Sequence, residues 1–200
     1  MLFRSRFKET LPIEKRAVVD APRPAIFQIG RVANTPVRKT CLSYLFYMIS
    51  FSGMEFTLTF LAVERFDYTP SDIAKMFLLI GLTLILAQGF FVRRFVGPLG
   101  EKKLALIGIF IGIIAFVMIS FVHGEPWFYF SLFLMSTGVA FISPTLTALT
   151  SLHSKETDQG FHLGVFRSSG SMARACGPLL AGWVYFMFGS SFAYLLGAVF

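Results

Sequence analysis

Charge, and acid above all, is what this sequence has least of. Its 200 residues carry 11 Asp and Glu against 18 Lys and Arg, and only 14% of the chain is charged while 55% is hydrophobic. That is too little polar surface to cover a water-soluble globule. Cysteine is nearly absent. Cys41 and Cys176 both fall in or beside apolar segments and suggest neither a disulfide framework nor a metal site. His123, His153 and His162 are scattered over loops and segment ends without metal-ligand spacing, so no metal and no cofactor are expected. The single Asn, Asn34, is followed by Thr35 and Pro36, which leaves no glycosylation sequon. A Walker loop is missing, so nothing argues for an ATP-driven pump. No Ser–His–acid or Cys–His set converges inside the apolar segments, and an enzyme is not expected. The N-terminus has charges but no apolar core of the length a signal peptide needs.

What the chain has instead is long apolar runs, with 25 Phe and a mean hydropathy of +0.68. Five runs, about 41–63, 72–92, 104–122, 126–150 and 161–188, are each long enough to cross roughly 30 Å of hydrocarbon as a helix. A sixth, 191–200, would rise only about 15 Å. The last span therefore reads as incomplete and the chain as a fragment. The expected fold is an all-α, multi-pass integral membrane protein. A basic segment over 1–39 precedes a transmembrane helical region over 40–200, with the lipid bilayer as the first partner and the particular membrane left open.

Residues 1–39 hold nine basic and three acidic side chains together with Pro12, Pro22, Pro24 and Pro36. They read as mostly irregular, with a short helix around 13–19. Because the rest of the chain is apolar, this basic balance suits anionic lipid headgroups rather than nucleic acid. Between the second and third runs lies GFFVRRFVGPLGEKK, a short glycine-rich cationic hairpin in which Arg93, Arg94, Lys102 and Lys103 face one acid, Glu101. Lys and Arg resist translocation, so 1–39, 93–103 and 151–160, with nine, four and one basic residues, are expected to be cytosolic. The opposite loops hold only Arg65, and Lys75 sits one turn into the second span. Phe66, Tyr68, Trp127 and Trp183 near the borders fit interfacial anchoring.

The polar residues inside the runs are the candidates for chemistry. Glu55 is the one acid well inside a span, where a carboxylate costs several kcal/mol unless it is paired, protonated or facing water. Helical periodicity puts Tyr44, Met48, Ser52, Glu55 and Thr59 on one face of the first helix. Arg174, near the middle of the fifth span, shares a face with Arg167, Ser171, Pro178 and Tyr185. Arg167 lies close enough to the end to snorkel, whereas Arg174 must face protein or water. Glu55 and Arg174 are at compatible depths. They could form a pair that locks two helices, or they could serve separately, Glu55 for a proton or cationic group and Arg174 for an anion.

Backbone devices accompany these charges. Gly170, Ala173, Gly177 and Ala181 form a small-residue strip beside Pro178, which suits close helix packing, a bend, or both. In the fourth span Ser136, Ala140, Ser143 and Thr147 share a face, and Pro144 is expected to interrupt the helix where a cavity passes. Their hydroxyls could equally bond back to the preceding turn. Gln88, low in the second span, is a further polar candidate.

Several stretches resemble the C-terminal half of a major facilitator superfamily transporter, in the tetracycline transporter-like branch of the drug:proton antiporter type. FKETLPIEKRA (7–17) resembles the opening of that branch's central cytosolic loop, SFSGMEFTLTFL (50–61) its seventh helix, KMFLLIGLT (75–83) its eighth and FRSSGSMARACGPLLAG (166–182) its eleventh. The hairpin at 89–103 resembles the second copy of the superfamily's glycine–acid–basic signature, matched by Gly89, Arg94, Gly97, Lys102 and Lys103. It departs from that pattern in two ways. Arg93 stands about where the acid would be, and the Gly97–Gly100 spacing is longer, so a gating bond that needs the acid has lost its partner.

The resemblance implies a six-helix half with a truncated last helix, a missing N-terminal six-helix half, and a small-molecule substrate held between the halves. It implies that the first, second, fourth and fifth spans line the cavity. It also implies secondary transport of small organic solutes, with organic anions or drugs and proton coupling as the finer expectation. Glu55 is then the candidate for coupling, Arg174 for substrate attraction or a charge lock, and Gly170, Gly177 and Pro178 for packing or gating. The alternative is a non-transporting truncated membrane protein that associates with or regulates a full-length relative.

Overall fold

The structure, a computed structural model, describes residues 29–199, and the short helix expected at 13–19 lies outside them. Among the described residues, six helical rods follow one another from Thr35 on. They are α1 (Thr35–Phe66), α2 (Pro70–Leu99), α3 (Glu101–Phe121), α4 (Glu125–Leu152), α5 (Gln159–Phe188) and α6 (Ser190–Val199). Four of them, α1 to α4, are long and apolar enough to cross a membrane. α5 is 30 residues long and differs from its reading as a plain apolar span, because Arg167, Arg174 and a run of Ser and Gly lower its hydropathy. α6, with 10 residues, is the short apolar rod.

Local chemistry sets the helix ends. Asn34 caps α1, its side chain accepting from the Val37 amide at 3.4 Å, and Pro36 sits in the first turn where a missing donor costs nothing. α1 therefore begins at Thr35, ahead of the apolar run, and Arg38 and Lys39 are helical. The Asn34 amide nitrogen also donates to the His153 carbonyl at 2.6 Å, tying the start of α1 to the end of α4. α1 stops at Asp67, whose φ of 52° is left-handed. Thr69 and Asp72 then cap α2 reciprocally, and Lys75 pairs with Asp72 at 2.9 Å.

The cationic hairpin proves to be mostly helix. α2 is α-helical over Pro70–Leu86, π-helical over Ala87–Val92 and α-helical again over Arg93–Leu99. The turn is a single residue, Gly100, with φ 75° and ψ 160°, a backbone region essentially reserved for glycine. Arg93 and Arg94 thus continue the rod, and their long exposed side chains can reach out of the apolar layer. Pro144 likewise does not interrupt α4, which is continuous through it. Proline removes one donor there, and the neighbouring Thr145 hydroxyl donates to the Phe141 and Ile142 carbonyls.

α1 packs along α5 and α3 along α4; α6 leans on α3 and α5, and α2 on α4. The α1–α5 contact is backbone to backbone. A Cβ added at Gly177 would meet the Ile49 carbonyl oxygen at 2.7 Å, and one at Gly53 would meet Ala181 Cβ at 2.5 Å. The small-residue strip on α5 is therefore a packing surface. Leu58, Leu61, Met76, Ile119, Phe128 and Tyr194 fill the core near the Asp67 end, and Val37, Leu45, Met48, Ile142 and Phe166 fill it near the Asn34 end. Outside, Leu78, Ile85, Phe90, Phe110, Leu179, Trp183 and Phe186 are exposed, an exterior suited to hydrocarbon.

Candidate functional site

Pro178 is the starting point, because its ring takes away the amide that would bond the carbonyl four residues back, at Arg174. That carbonyl accepts instead from the Ser52 hydroxyl of α1 at 3.4 Å. The repair crosses the α1–α5 interface, and Ser52 is buried by it. One turn away from this contact, α5 turns Arg174, Ser171, Gly170 and Arg167 toward a cavity of about 330 Å³ that is completed by Phe166, Tyr44 of α1 and Thr147 of α4.

The walls of this cavity are built in layers. Phe166 is 2% exposed, and Tyr44 stacks on it with ring centroids 3.9 Å apart and 17° between planes. Gly170 makes room for the tyrosine, since a Cβ there would lie 2.6 Å from Tyr44 Cε1. The Ser171 hydroxyl donates to the Arg167 carbonyl at 3.2 Å and the Thr147 hydroxyl to Ser143 at 2.9 Å, so both turn lone pairs outward. No described carboxylate lies within ion-pairing distance of Arg167 or Arg174. The cavity is therefore positively charged, partly aromatic and without an internal counterion.

Of the residues singled out in the sequence, the structure gathers Tyr44, Thr147, Gly170, Ser171 and Arg174 around this cavity. It leaves others elsewhere. Glu55 is exposed on α1 and makes no ion pair with Arg174; one turn earlier, Ser52 is what reaches α5. Ser136 is buried and bonds back to the Leu132 carbonyl at 2.7 Å. Ser143 and Thr59 are half-buried, and Gln88 is exposed in the π-helical stretch of α2. Gly89, Arg93, Arg94, Gly97, Lys102 and Lys103 lie exposed at the Gly100 end of α2 and α3.

Three features escaped the sequence reading. Arg167 shares the cavity with Arg174 rather than standing apart at the helix end. Tyr47 and Ser50 have buried hydroxyls without a hydrogen-bond partner, beside a cleft of about 550 Å³ between α1, α3 and α6. The third is a hub at the Asp67 end. Arg65 donates to the Ile119, Ser120 and Val122 carbonyls at 3.1, 3.0 and 2.9 Å and to the Ser190 and Ser191 hydroxyls at 3.0 and 2.9 Å. Its neighbour Glu64 accepts from the Tyr185 hydroxyl and from Ser190. One dipeptide thus ties the end of α1 to α3, α5 and α6, and an arginine at the carbonyl end of α3 suits that helix's dipole.

Known proteins bear on this geometry. The sequence model described as Major Facilitator Superfamily matches residues 3–156 and 40–200. Human major facilitator superfamily domain-containing protein 10 is 33% identical over 202 residues, which takes in 91% of this chain and 44% of that protein. The bovine protein of the same name is 32% identical, with 95% of this chain and 46% of that one covered. Tetracycline resistance protein, class B, of Escherichia coli is 30% identical over 122 residues, 61% of this chain and 30% of that one. Among solved structures, one titled as the crystal structure of the human organic anion transporter MFSD10 (TETRAN) superposes with a TM-score of 0.86 at 30% identity, covering 96% of this chain and 50% of that one. The chain spans about half the length of these animal relatives.

Proposed function

The chain belongs to the Major Facilitator Superfamily and is a multi-pass integral membrane protein of a transporter family, and from that premise we propose that it forms one six-helix half of a secondary transporter for small organic anions. The observation that carries the substrate's charge is the cavity in which Arg167 and Arg174 lie together without a carboxylate partner. Both guanidiniums are exposed at this cavity and so open to a ligand, and an organic anion supplies the counter-charge that no described carboxylate provides. The likeness to a structure titled as an organic anion transporter points the same way.

The remaining parts of the proposal concern the partner half, the orientation and the coupling. The complementary half comes from a six-helix partner, with substrate held between the two. The end carrying Asn34, Gly100 and His153 faces the cytosol, in line with its excess of Lys and Arg. Glu55 is the proton-exchanging residue of this proposal, supported by its exposure on α1 and the absence of an ion pair with Arg174.

Uptake of a fluorescent organic anion, fluorescein, into vesicles carrying the protein and its partner half tests this function. Saturable uptake that grows several-fold under an imposed pH gradient is the expected outcome, with E55Q keeping uptake but losing its response to the gradient. Uptake no greater than in empty vesicles contradicts the transport reading. Full gradient dependence in E55Q contradicts the coupling role alone.

A further inference from the structure

We infer that the cavity beside α5 is a two-point site for an aromatic dianion, with one acidic group of the ligand on Arg167 and the other on Arg174. The inference rests on the organic-anion reading above and narrows it to a class of substrate. Arg167 and Arg174 are seven residues apart, two turns of helix and roughly 10 Å of rise, so they face the same way at two levels. Both line one cavity of about 330 Å³, near the lower end of the range of ligand pockets.

Charge decides between one acidic group and two. With no described carboxylate in ion-pairing distance of either guanidinium, a monoanion leaves one of them uncompensated, whereas a dianion neutralises both. Guanidiniums are also the groups that grip carboxylates with paired, directional hydrogen bonds. Of the other polar groups only the Tyr44 hydroxyl keeps a free proton, a neutral donor beside the two charged ones. Ser171 and Thr147 have their hydroxyl protons committed to the Arg167 and Ser143 carbonyls and can only accept. A ligand presenting two acceptor ends therefore meets donors at its ends and the Tyr44 ring between. That ring is held flat against Phe166 on one side and offers an aromatic surface to the cavity.

Binding to the protein assembled with its partner half in lipid nanodiscs, followed by titration calorimetry at pH 7.5, tests this. Terephthalate is compared with its monomethyl ester, which has the same ring and nearly the same size but one charge. Terephthalate is expected to bind at least tenfold more tightly than the monoester in the unmodified protein, a comparison that needs no variant to fold. R167Q and R174Q, checked for monodisperse elution, are each expected to shrink that ratio below about threefold. Equal binding of the two probes overturns the two-point site and leaves the organic-anion reading standing. A tenfold ratio that survives in both variants places the dianion elsewhere and overturns this site. Binding of neither probe overturns the two-point site, and the organic-anion reading then stands or falls on fluorescein uptake alone.

Discussion

Arg65 shows how much a single side chain can carry at a helix border. Its guanidinium meets two carbonyls of α3, the Val122 carbonyl just past it and two hydroxyls of α6, and Glu64 beside it holds Tyr185 of α5. Removing it strands the last carbonyls of α3 in a partly buried setting. R65A is therefore expected to destabilise the helical bundle by about 2–4 kcal/mol, seen as a lower thermal midpoint in detergent. R65K should recover part of the loss, because an ammonium keeps the charge but not the planar fork. An R65A midpoint equal to that of the unmodified protein would show that these bonds add nothing. In the sequence Arg65 was visible only as a lone cation on the side with few of them, since hydropathy scores a border residue by charge and not by the helix ends that converge on it. Glu64 gave no signal at all.

At the scale of elements, the long apolar runs announced the helices, because the need to satisfy every backbone group in hydrocarbon leaves few alternatives. The boundaries were less legible where charge continues a helix. Arg93 and Arg94 look like a loop by hydropathy and are the last turns of α2, with Gly100 alone making the turn. Pro144 looked like a break and Pro178 like a bend, and both helices are continuous through them. At Pro178 the lost bond is replaced from the neighbouring helix by Ser52, which predicts coupling between the two positions. S52A should cost about 0.5–1.5 kcal/mol in the unmodified protein and close to nothing beside P178A, where an amide at 178 can reach the Arg174 carbonyl itself. Equal costs of S52A in both backgrounds, measured by a double-mutant cycle of thermal unfolding, would show that the Ser52 bond does not serve that carbonyl.

For the molecule as a whole, one face of α5 could be read from periodicity, and Arg167, Ser171 and Arg174 do share it. Tyr44 and Thr147 join them only because α1 and α4 pack where they do, a tertiary outcome that no spacing within one helix encodes. The close approach at Gly53 and Gly177 is what brings α1 within reach. The pairing of Glu55 with Arg174 was geometrically open from depth alone and is not made, because the α1 face that meets α5 is the one carrying Ser52 and Gly53. The consequence is a positive cavity on α5 and a separate carboxylate on α1, which is the arrangement the proposed anion transport uses.

The central claim, that the α5 arginine cavity is an anion site, is tested most directly by the charge selectivity of a thiol placed inside it. S171C is made in a C176S background, since Cys176 is exposed and Cys41 is buried. The anionic sulfonatoethyl and the cationic trimethylammonioethyl methanethiosulfonates are compared, each scaled to its rate with a free thiol. The account expects the anionic reagent to be favoured several-fold, the preference to vanish when R174Q and R167Q are added, and fluorescein to slow the labelling. Equal scaled rates for the two reagents, or labelling that fluorescein leaves unchanged, would contradict it.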